Sequence, residues 1–323
     1  MKNFSLFLVI SFFLICGLTI AANPNKEAHS LEEALKHPLE VEELYLSGQQ
    51  LSALPKEIGK ILNLKKLILH SNQLSTLPTE LAKLQLLREI NLNENKFTIF
   101  PSVLLSLPKL EQLNLGQNRL QELPAELGTV FTLKRLELPH NDFTLFPESV
   151  LNLANLEVLD LADNQIPKLP ANLSALTQLR SLMLSHNQFK VFPKEILALT
   201  QLRELYLGDN QLSKLPAEIS QLHELRSMML SNNRFTSFPK EVFQLSQLKE
   251  LYLNGNQLRN IPGEINQLTG LQALGLDKNE LIYLPASLQD LSQLIVIFLS
   301  ENPISQTNQS RLAELLPKVH LEF

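Results

Sequence analysis

The stretch LRELYLGDNQLSKLPAEISQLHE, residues 202–224, carries the pattern that decides the fold. Leu205 and Leu207 flank a single tyrosine, Tyr206, in an alternation typical of a short β-strand. Because successive strand residues face opposite sides of a sheet, the two leucines are predicted to point inward and Tyr206 outward. An asparagine and the motif LPAEI follow, which predict an inward turn and then a short helical or extended return segment.

The same pattern recurs along the chain with a period of 23 residues. Its asparagine is repeated without insertion from Asn72 to Asn302, and Gln49 holds the equivalent position one unit earlier. Extending the frame back to Val41 gives twelve units over residues 41–316. A fixed period of this length indicates a solenoid, in which each unit buries its apolar face on its neighbours. The buried asparagine amides are predicted to bond backbone groups of the adjacent turn.

The repeat, written LxxLxLxxNxLxxLPxEIxxLxx, resembles that of leucine-rich repeat proteins. The variant is similar to the 23-residue class of bacterial exported proteins and of intracellular Ras-group and plant-resistance proteins. The resemblance implies an α/β fold, a right-handed horseshoe solenoid with a concave parallel sheet of about twelve short strands. It covers residues 41–316 and is specific for the fold, whereas it says little about the binding partner.

Residues 1–22 have the pattern of a signal peptide: a basic start, an apolar run from Phe4 to Ile20, and small residues for cleavage. An uncleaved anchor and lipid attachment at Cys16 are the two alternatives. Without such lipidation, we expect no membrane insertion of the mature chain. Cys16 is the only cysteine, so the cleaved chain would have no disulfide, which favours a bacterial source. The expected location is secreted or at the cell surface, or else in the periplasm or outer envelope.

The segments that flank the repeats are predicted to be caps that cover the open ends of the solenoid. Residues 23–40 contain Ser30 followed by Glu33, a capping box for a short helix. At the other end an amphipathic turn around Leu312 leads to residues 317–323, where a final strand is predicted at 319–323.

Pairs of phenylalanines add a second period of 46 residues. The pairs are Phe97 with Phe100, Phe143 with Phe146, Phe189 with Phe192, and Phe235 with Phe238. The alternate units carry Leu or Ile at the first of these positions, so we predict that large and smaller side chains interdigitate in the core. The alternative is an aromatic groove for a ligand.

Charge and motif content argue against several classes of function. The chain has 28 Lys and Arg against 33 Asp and Glu, which does not favour nonspecific binding to nucleic acid or anionic lipid. The sequence contains neither a Gly-rich phosphate loop nor zinc-ligand spacing. Signal, repeats and caps leave no length for a separate catalytic domain. We therefore expect no enzymatic activity, no cofactor and no metal.

One polar column is the remaining candidate for chemistry. The position before the asparagine holds, in four consecutive units, His140, Asp163, His186 and Asp209. At ~4.8 Å per strand the two histidines would stand about 10 Å apart, too far to share a metal ion unless both tilt toward Asp163. A hydrolase triad drawn with Ser185 lacks an oxyanion hole and a pocket. We interpret the column as a solvated polar rim.

The outward strand position is the better candidate for function. It carries, in four consecutive units, Met183, Tyr206, Met229 and Tyr252. The second position of the same units carries Arg180, Arg203, Arg226 and Lys249. Aromatic, Met and Arg side chains are enriched at the centres of protein interfaces. The alternative is that aromatic and Met residues simply suit strands, with acids such as Glu204 and Glu250 pairing the basic column.

These patterns predict a non-catalytic scaffold that is exported from a bacterium and binds a protein partner through its concave face. The resemblance to exported bacterial repeat proteins suggests host or extracellular targets. The alternative is a structural or lipid-anchored protein of the cell envelope.

Overall fold

The computed structural model describes residues 26–323, so the predicted signal peptide (1–22) and Cys16 lie outside the described residues. Fourteen strands form one parallel sheet in which their spatial order is their sequence order. The strands are β1 (Glu27–Ala28), β2 (Glu43–Tyr45), β3 (Lys66–Ile68), β4 (Glu89–Asn91), β5 (Gln112–Asn114), β6 (Arg135–Glu137), β7 (Val158–Asp160), β8 (Ser181–Met183), β9 (Glu204–Tyr206), β10 (Ser227–Met229), β11 (Glu250–Tyr252), β12 (Ala273–Gly275), β13 (Val296–Phe298) and β14 (His320–Glu322). The α/β leucine-rich repeat solenoid predicted from the sequence is confirmed.

The return segments are single turns of 3₁₀-helix, a conformation that the sequence left open. They cover Lys56–Lys60, Thr79–Lys83, Ser102–Ser106, Ala125–Thr129, Glu148–Asn152, Leu173–Ala175, Lys194–Ala198, Ala217–Gln221, Lys240–Gln244, Gly263–Gln267 and Ala286–Asp290. Proline precedes all of them except Leu173–Ala175, in extended conformation, as at Pro216 with φ −76° and ψ 149°. Proline fits there because its ring fixes φ near the required value and the position needs no N–H donor.

The core lies between the strands and the 3₁₀-helices and consists of the inward residues of every unit. Leu205 and Leu207 are fully buried on either side of Tyr206, which confirms the predicted alternation. The phenylalanine pairs are buried as well: Phe143 is 0% exposed and Phe146 is 7% exposed. The aromatic ligand groove is therefore wrong, since these rings fill the interior.

The asparagines form the predicted ladder of buried amides. Asn210 donates from Nδ2 to the carbonyl of Leu184 in the preceding unit (3.0 Å) and to that of Leu207 in its own (3.2 Å). Its Oδ1 accepts from the backbone N–H of Phe189 (3.0 Å). The same bonds recur at the other asparagines of the ladder, from Asn95 to Asn279. Each amide thus ties two consecutive units together, and this ladder holds the repeat spacing constant.

Two α-helices and two short strands lie at the ends of the repeats. α1 (Leu31–Lys36) begins after Ser30, whose hydroxyl accepts from the N–H of Glu33 (3.1 Å), as the capping box predicts. α2 (Gln306–Leu315) replaces the 3₁₀-helix after the last asparagine, and β14 then pairs with β13 where a final strand is predicted. β1, which pairs with β2, has no signal in the sequence. Within residues 26–323, none of the helices has both the length and the apolar character needed to cross a bilayer.

Candidate protein-binding surface

The outward residues of β8 to β11 form one continuous row on the concave sheet. Parallel register places Met183 beside Tyr206, Tyr206 beside Met229, and Met229 beside Tyr252. We call these four residues the concave stripe. All four side chains are partly exposed, whereas the residues directly before and after each of them in the chain are buried. The strand period thus brings the four predicted residues together on one face.

The surroundings of the two tyrosines of the concave stripe raise the pKa of their hydroxyl groups. Burial raises the pKa of Tyr206, and Glu204 and Glu250 raise it further, while an interaction of its hydroxyl with Ser227 opposes the shift. Burial also raises the pKa of Tyr252 to about 12, with Glu250 as the second cause. Both phenols therefore stay neutral at physiological pH. They present an apolar ring and a hydrogen-bonding hydroxyl, the combination that suits an interface.

The basic column at the second repeat position changes character along the solenoid. In the first half its cations are neutralised by acids of the same column. Glu42 accepts one bond from Lys26 and one from Lys65, each 2.7 Å long. Both bonds lower the pKa of Glu42, and the bond from Lys26 has the larger effect. Glu111 bonds Lys134 at 3.1 Å and also Arg88, and the pKa of Glu111 is lowered mainly by Lys134.

From Arg180 onward the column holds four cations in succession and no acid. Arg180 keeps only a long contact to Glu157, 3.9 Å between Nε and Oε2. Within residues 26–323, no salt bridge joins Arg203, Arg226 or Lys249 to an acid. The acids that the sequence offered as partners, Glu204 and Glu250, do not pair with the column, and Glu250 accepts instead from the Ser227 hydroxyl (2.9 Å). Within the described residues, the positive charge of Arg203, Arg226 and Lys249 beside the concave stripe is therefore not neutralised by a salt bridge.

A shallow cleft of about 180 Å³ lies where the concave stripe begins. Basic, acidic, apolar and hydroxyl side chains line it: Arg135, Arg180, Arg203, Glu157, Glu204, Val158, Met183 and Ser181. The hydroxyl of Ser181 is buried without a hydrogen-bond partner among the residues described here. A buried hydroxyl without a partner costs free energy, so Ser181 is an unsatisfied polar group beneath the cleft. Ser181 is not among the residues predicted from the sequence, because no pattern in the repeat marks it.

The polar rim forms a chain of close contacts between histidine and aspartate side chains. His140 and His186 both lean on Asp163, at 3.3 and 3.7 Å, and His186 also reaches Asp209 at 3.2 Å. Over the described chain, no group of three or more His, Cys, Asp or Glu side chains is placed to hold a metal ion. All four rim residues have φ between 52° and 53°, a left-handed backbone that Asp, Asn and His tolerate better than most residues. The same left-handed conformation recurs at this position in other units, with Ser71, Glu94 and Lys278, so it belongs to the repeat and is not particular to these four residues.

Comparisons with known proteins agree with the repeat fold described above. The leucine-rich repeat family models match residues 63–120 and 223–281, the leucine-rich repeat region model matches 120–210, and a single-repeat model matches 201–222. A search of curated proteins finds no match.

Several solved structures are similar over nearly the whole chain. A leucine-rich repeat protein from Leptospira interrogans is 32% identical with a TM-score of 0.64, and the match covers 92% of this chain and 100% of that one. An internalin from Listeria monocytogenes is 26% identical with a TM-score of 0.71, covering 90% and 88% of the two chains. The leucine-rich repeat ectodomain of the Arabidopsis thaliana receptor kinase GASSHO1/SCHENGEN3 is 30% identical with a TM-score of 0.61, covering 85% of this chain and 40% of that one. With its unbroken asparagine ladder and these matches in both sequence and structure, the chain belongs to the leucine-rich repeat proteins.

Proposed function

We propose that this chain is a non-catalytic scaffold that binds another protein through its concave face. The observation that carries the proposal is the concave stripe, four large side chains aligned in register. Beside it lie three cations that form no salt bridge within the described chain: Arg203, Arg226 and Lys249. Leucine-rich repeat solenoids are in general binding scaffolds, and concave solenoid faces serve as binding surfaces. One similar structure, the plant ectodomain named above, was solved in complex with Casparian strip integrity factor 2.

The chemistry of the surface defines the partner it suits. Tyr and Met side chains offer large contact area at modest entropic cost, so they favour an apolar or aromatic centre on the partner. Arg203, Arg226 and Lys249 favour acidic residues around that centre. An acidic side chain that enters the cleft would meet Arg180 and Arg203. The proposed partner is therefore a protein with an apolar patch bordered by carboxylates.

A binding screen tests this proposal. The purified chain is presented to extracellular and envelope proteins beside a variant with Met183→Ser, Tyr206→Ser, Met229→Ser and Tyr252→Ser. A matched control carries Leu62→Ser and Phe131→Ser, two apolar residues that follow the 3₁₀-helices away from the sheet and are 45% and 62% exposed. We expect the stripe variant to lose a partner that the control retains. Equal binding by all three proteins would remove the stripe from the site.

The basic column calls for a separate test. Arg226→Glu is compared with Lys109→Glu, which changes the net charge equally at an exposed position near the 3₁₀-helices. We expect only Arg226→Glu to slow association, and we expect added salt to weaken binding of the parent protein. If both variants behave alike, the column serves solubility and not recognition.

Export from a bacterium is part of the proposal and rests on the pattern of residues 1–22. We propose that the chain is divided as the sequence pattern predicts: signal peptide 1–22, caps 23–40 and 317–323, and repeats 41–316. We propose host or extracellular proteins as the targets. The second candidate, an envelope protein lipidated at Cys16, predicts palmitate incorporation that Cys16→Ser abolishes. Fractionation with palmitate labelling separates the two, because a cleaved and unlabelled chain in the medium supports the secreted binder.

A further inference from the structure

A second exposed row lies on the flank of the solenoid, between each strand and the 3₁₀-helix that follows it. It consists of the residues four places after the asparagine in five consecutive units: Ile99, Glu122, Leu145, Lys168 and Val191. We call it the flank row. Its three aliphatic side chains are 79%, 64% and 76% exposed in chain order, and its two charged side chains are exposed as well.

The flank row has no structural use within one copy of the chain. The residue that follows each aliphatic member, such as Phe146 after Leu145, is buried in the core, so the fold is complete without the row. A large aliphatic side chain left in water forgoes the favourable free energy that its burial would supply. In the described chain, neither Glu122 nor Lys168 forms a salt bridge. Both the apolar and the charged members thus lack intrachain partners.

The order of the flank row is complementary to its own reverse. In chain order it reads apolar, acidic, apolar, basic, apolar. An antiparallel second copy would place Ile99 against Val191, Leu145 against its own counterpart, and Glu122 against Lys168 twice. A parallel copy in register would instead face acid with acid and base with base. We propose that the flank row is the contact through which two copies of this chain associate, about a two-fold axis that passes by Leu145.

The shape of the solenoid agrees with this arrangement. The sheet is open and curved, so a row of equivalent positions follows an arc. A two-fold axis along the radius through the middle of an arc carries the arc onto itself with its direction reversed. All five positions then meet together, and each contact made by one copy is made again by the other, as an isologous interface requires. A curved row therefore supports the same antiparallel order that its charges select.

The size of the row sets the strength of the association. Five units at ~4.8 Å per strand make a row about 19 Å long. A row of this length and one side chain wide buries less area than the roughly 800 Å² per partner of a standard interface. We therefore expect weak, concentration-dependent dimerisation, not a permanent dimer. The concave stripe lies on a different face, so the dimer leaves it open.

Sedimentation velocity over a wide concentration range, on the purified protein and charge-reversed variants, tests the proposal. Glu122→Lys alone and Lys168→Glu alone each create two like-charge contacts in the dimer, and we expect each to weaken self-association at least tenfold. An equimolar mixture of the two variants restores opposite charges at both contacts, so we expect it to dimerise like the parent. Glu126→Lys, at an exposed position on the neighbouring 3₁₀-helix, is the control and should leave self-association unchanged.

Three outcomes would overturn the proposal: a parent that stays monomeric at all concentrations, single variants that dimerise like the parent, or a mixture that dimerises no better than its components. Circular dichroism of each variant shows whether it is folded, and because both charged residues are exposed we expect unchanged spectra.

Discussion

The ring of Tyr252 lies against Gly275 of the neighbouring strand, so closely that a Cβ built on Gly275 would stand 2.6 Å from Cδ1 of the ring. The two residues are register partners in β11 and β12. Gly275 therefore gives the end of the concave stripe its space. Gly275 also ends the run of large side chains in the concave stripe, because it occupies the outward position next to Tyr252 and has no side chain.

Gly275→Ala tests this relationship. The added methyl group must displace both the Tyr252 ring and the Asn254 amide oxygen, which stands 2.5 Å from the built Cβ. We expect a loss of about 1–3 kcal/mol in unfolding free energy. Gly263→Ala is the control, since its nearest neighbour would be 4.0 Å away. Chemical denaturation of both variants gives the comparison. Equal stability of the two would mean that the ring moves without cost.

The asparagine ladder predicts a large stability effect at any of its inner positions. Asn187→Ala removes the donor to the Leu161 carbonyl (2.9 Å) and the acceptor for the Ile166 N–H (2.9 Å). Two buried backbone groups lose their partner, so we expect a loss of about 2–4 kcal/mol. The adjacent and exposed Gln188→Ala should change stability by less than about 0.5 kcal/mol. A similar small effect at both positions would contradict the role given to the ladder.

The phenylalanine layers predict a graded response in the core. Phe143 is fully buried, and the neighbouring units carry Leu120 and Ile166 at its position. Phe143→Ala leaves a cavity and should cost about 3–5 kcal/mol. Phe143→Leu places a residue type that the fold already accepts next door, and we expect a clearly smaller loss. Thermal or denaturant unfolding decides, and equal losses would show that the layer requires the ring itself.

Asp160 predicts a pH dependence of stability. Burial raises its pKa from 3.8 to about 7, and Glu137 on the neighbouring strand raises it further. The folded chain then holds a proton that the unfolded chain releases, so the contribution of Asp160 to stability is fully present below about pH 4 and is lost as the pH rises toward about 7. A full shift of this size corresponds to about 4 kcal/mol. The side chain keeps some contact with solvent, so we expect about 1–2 kcal/mol.

Asp160→Asn isolates that effect. Asn114 at the equivalent position accepts the N–H two residues on (2.9 Å), as Asp160 does (2.9 Å), so the variant can keep this bond. We expect the variant to be more stable than the parent at pH 8, with a flatter profile between pH 4 and pH 8. Urea denaturation across this range is the measurement. A parent profile that rises with pH while the variant stays flat would reverse the sign and contradict the assignment.

The sequence predicts the fold well because one physical rule is applied many times. One low-energy backbone conformation buries Leu205, Leu207 and Asn210 at this spacing. Repetition of the spacing along the chain excludes competing conformations. The conformation of the return segments could not be predicted, since AEISQL suits helix and extended chain alike. β1 was missed because two residues carry too little pattern to be recognised.

The candidate surface is only partly accessible from the sequence. Strand periodicity places Tyr206 and Met229 on one face, which follows from the frame alone. Whether Arg226 pairs with Glu250 depends on side-chain directions between strands, which the repeat does not specify. The orphan hydroxyl of Ser181 and the contact between Tyr252 and Gly275 likewise arise between units, where no linear motif records them.

The central claim, that the concave stripe binds a protein, is tested most directly by titration calorimetry with a partner from the screen. Tyr206→Ala is measured beside Phe131→Ala, the exposed aromatic away from the sheet. Truncation of an interface anchor costs about 2 kcal/mol or more, so we expect Tyr206→Ala to raise Kd roughly 30-fold while Phe131→Ala leaves it unchanged. An unchanged Kd for a folded Tyr206→Ala variant would contradict the claim and move the binding site off the concave face.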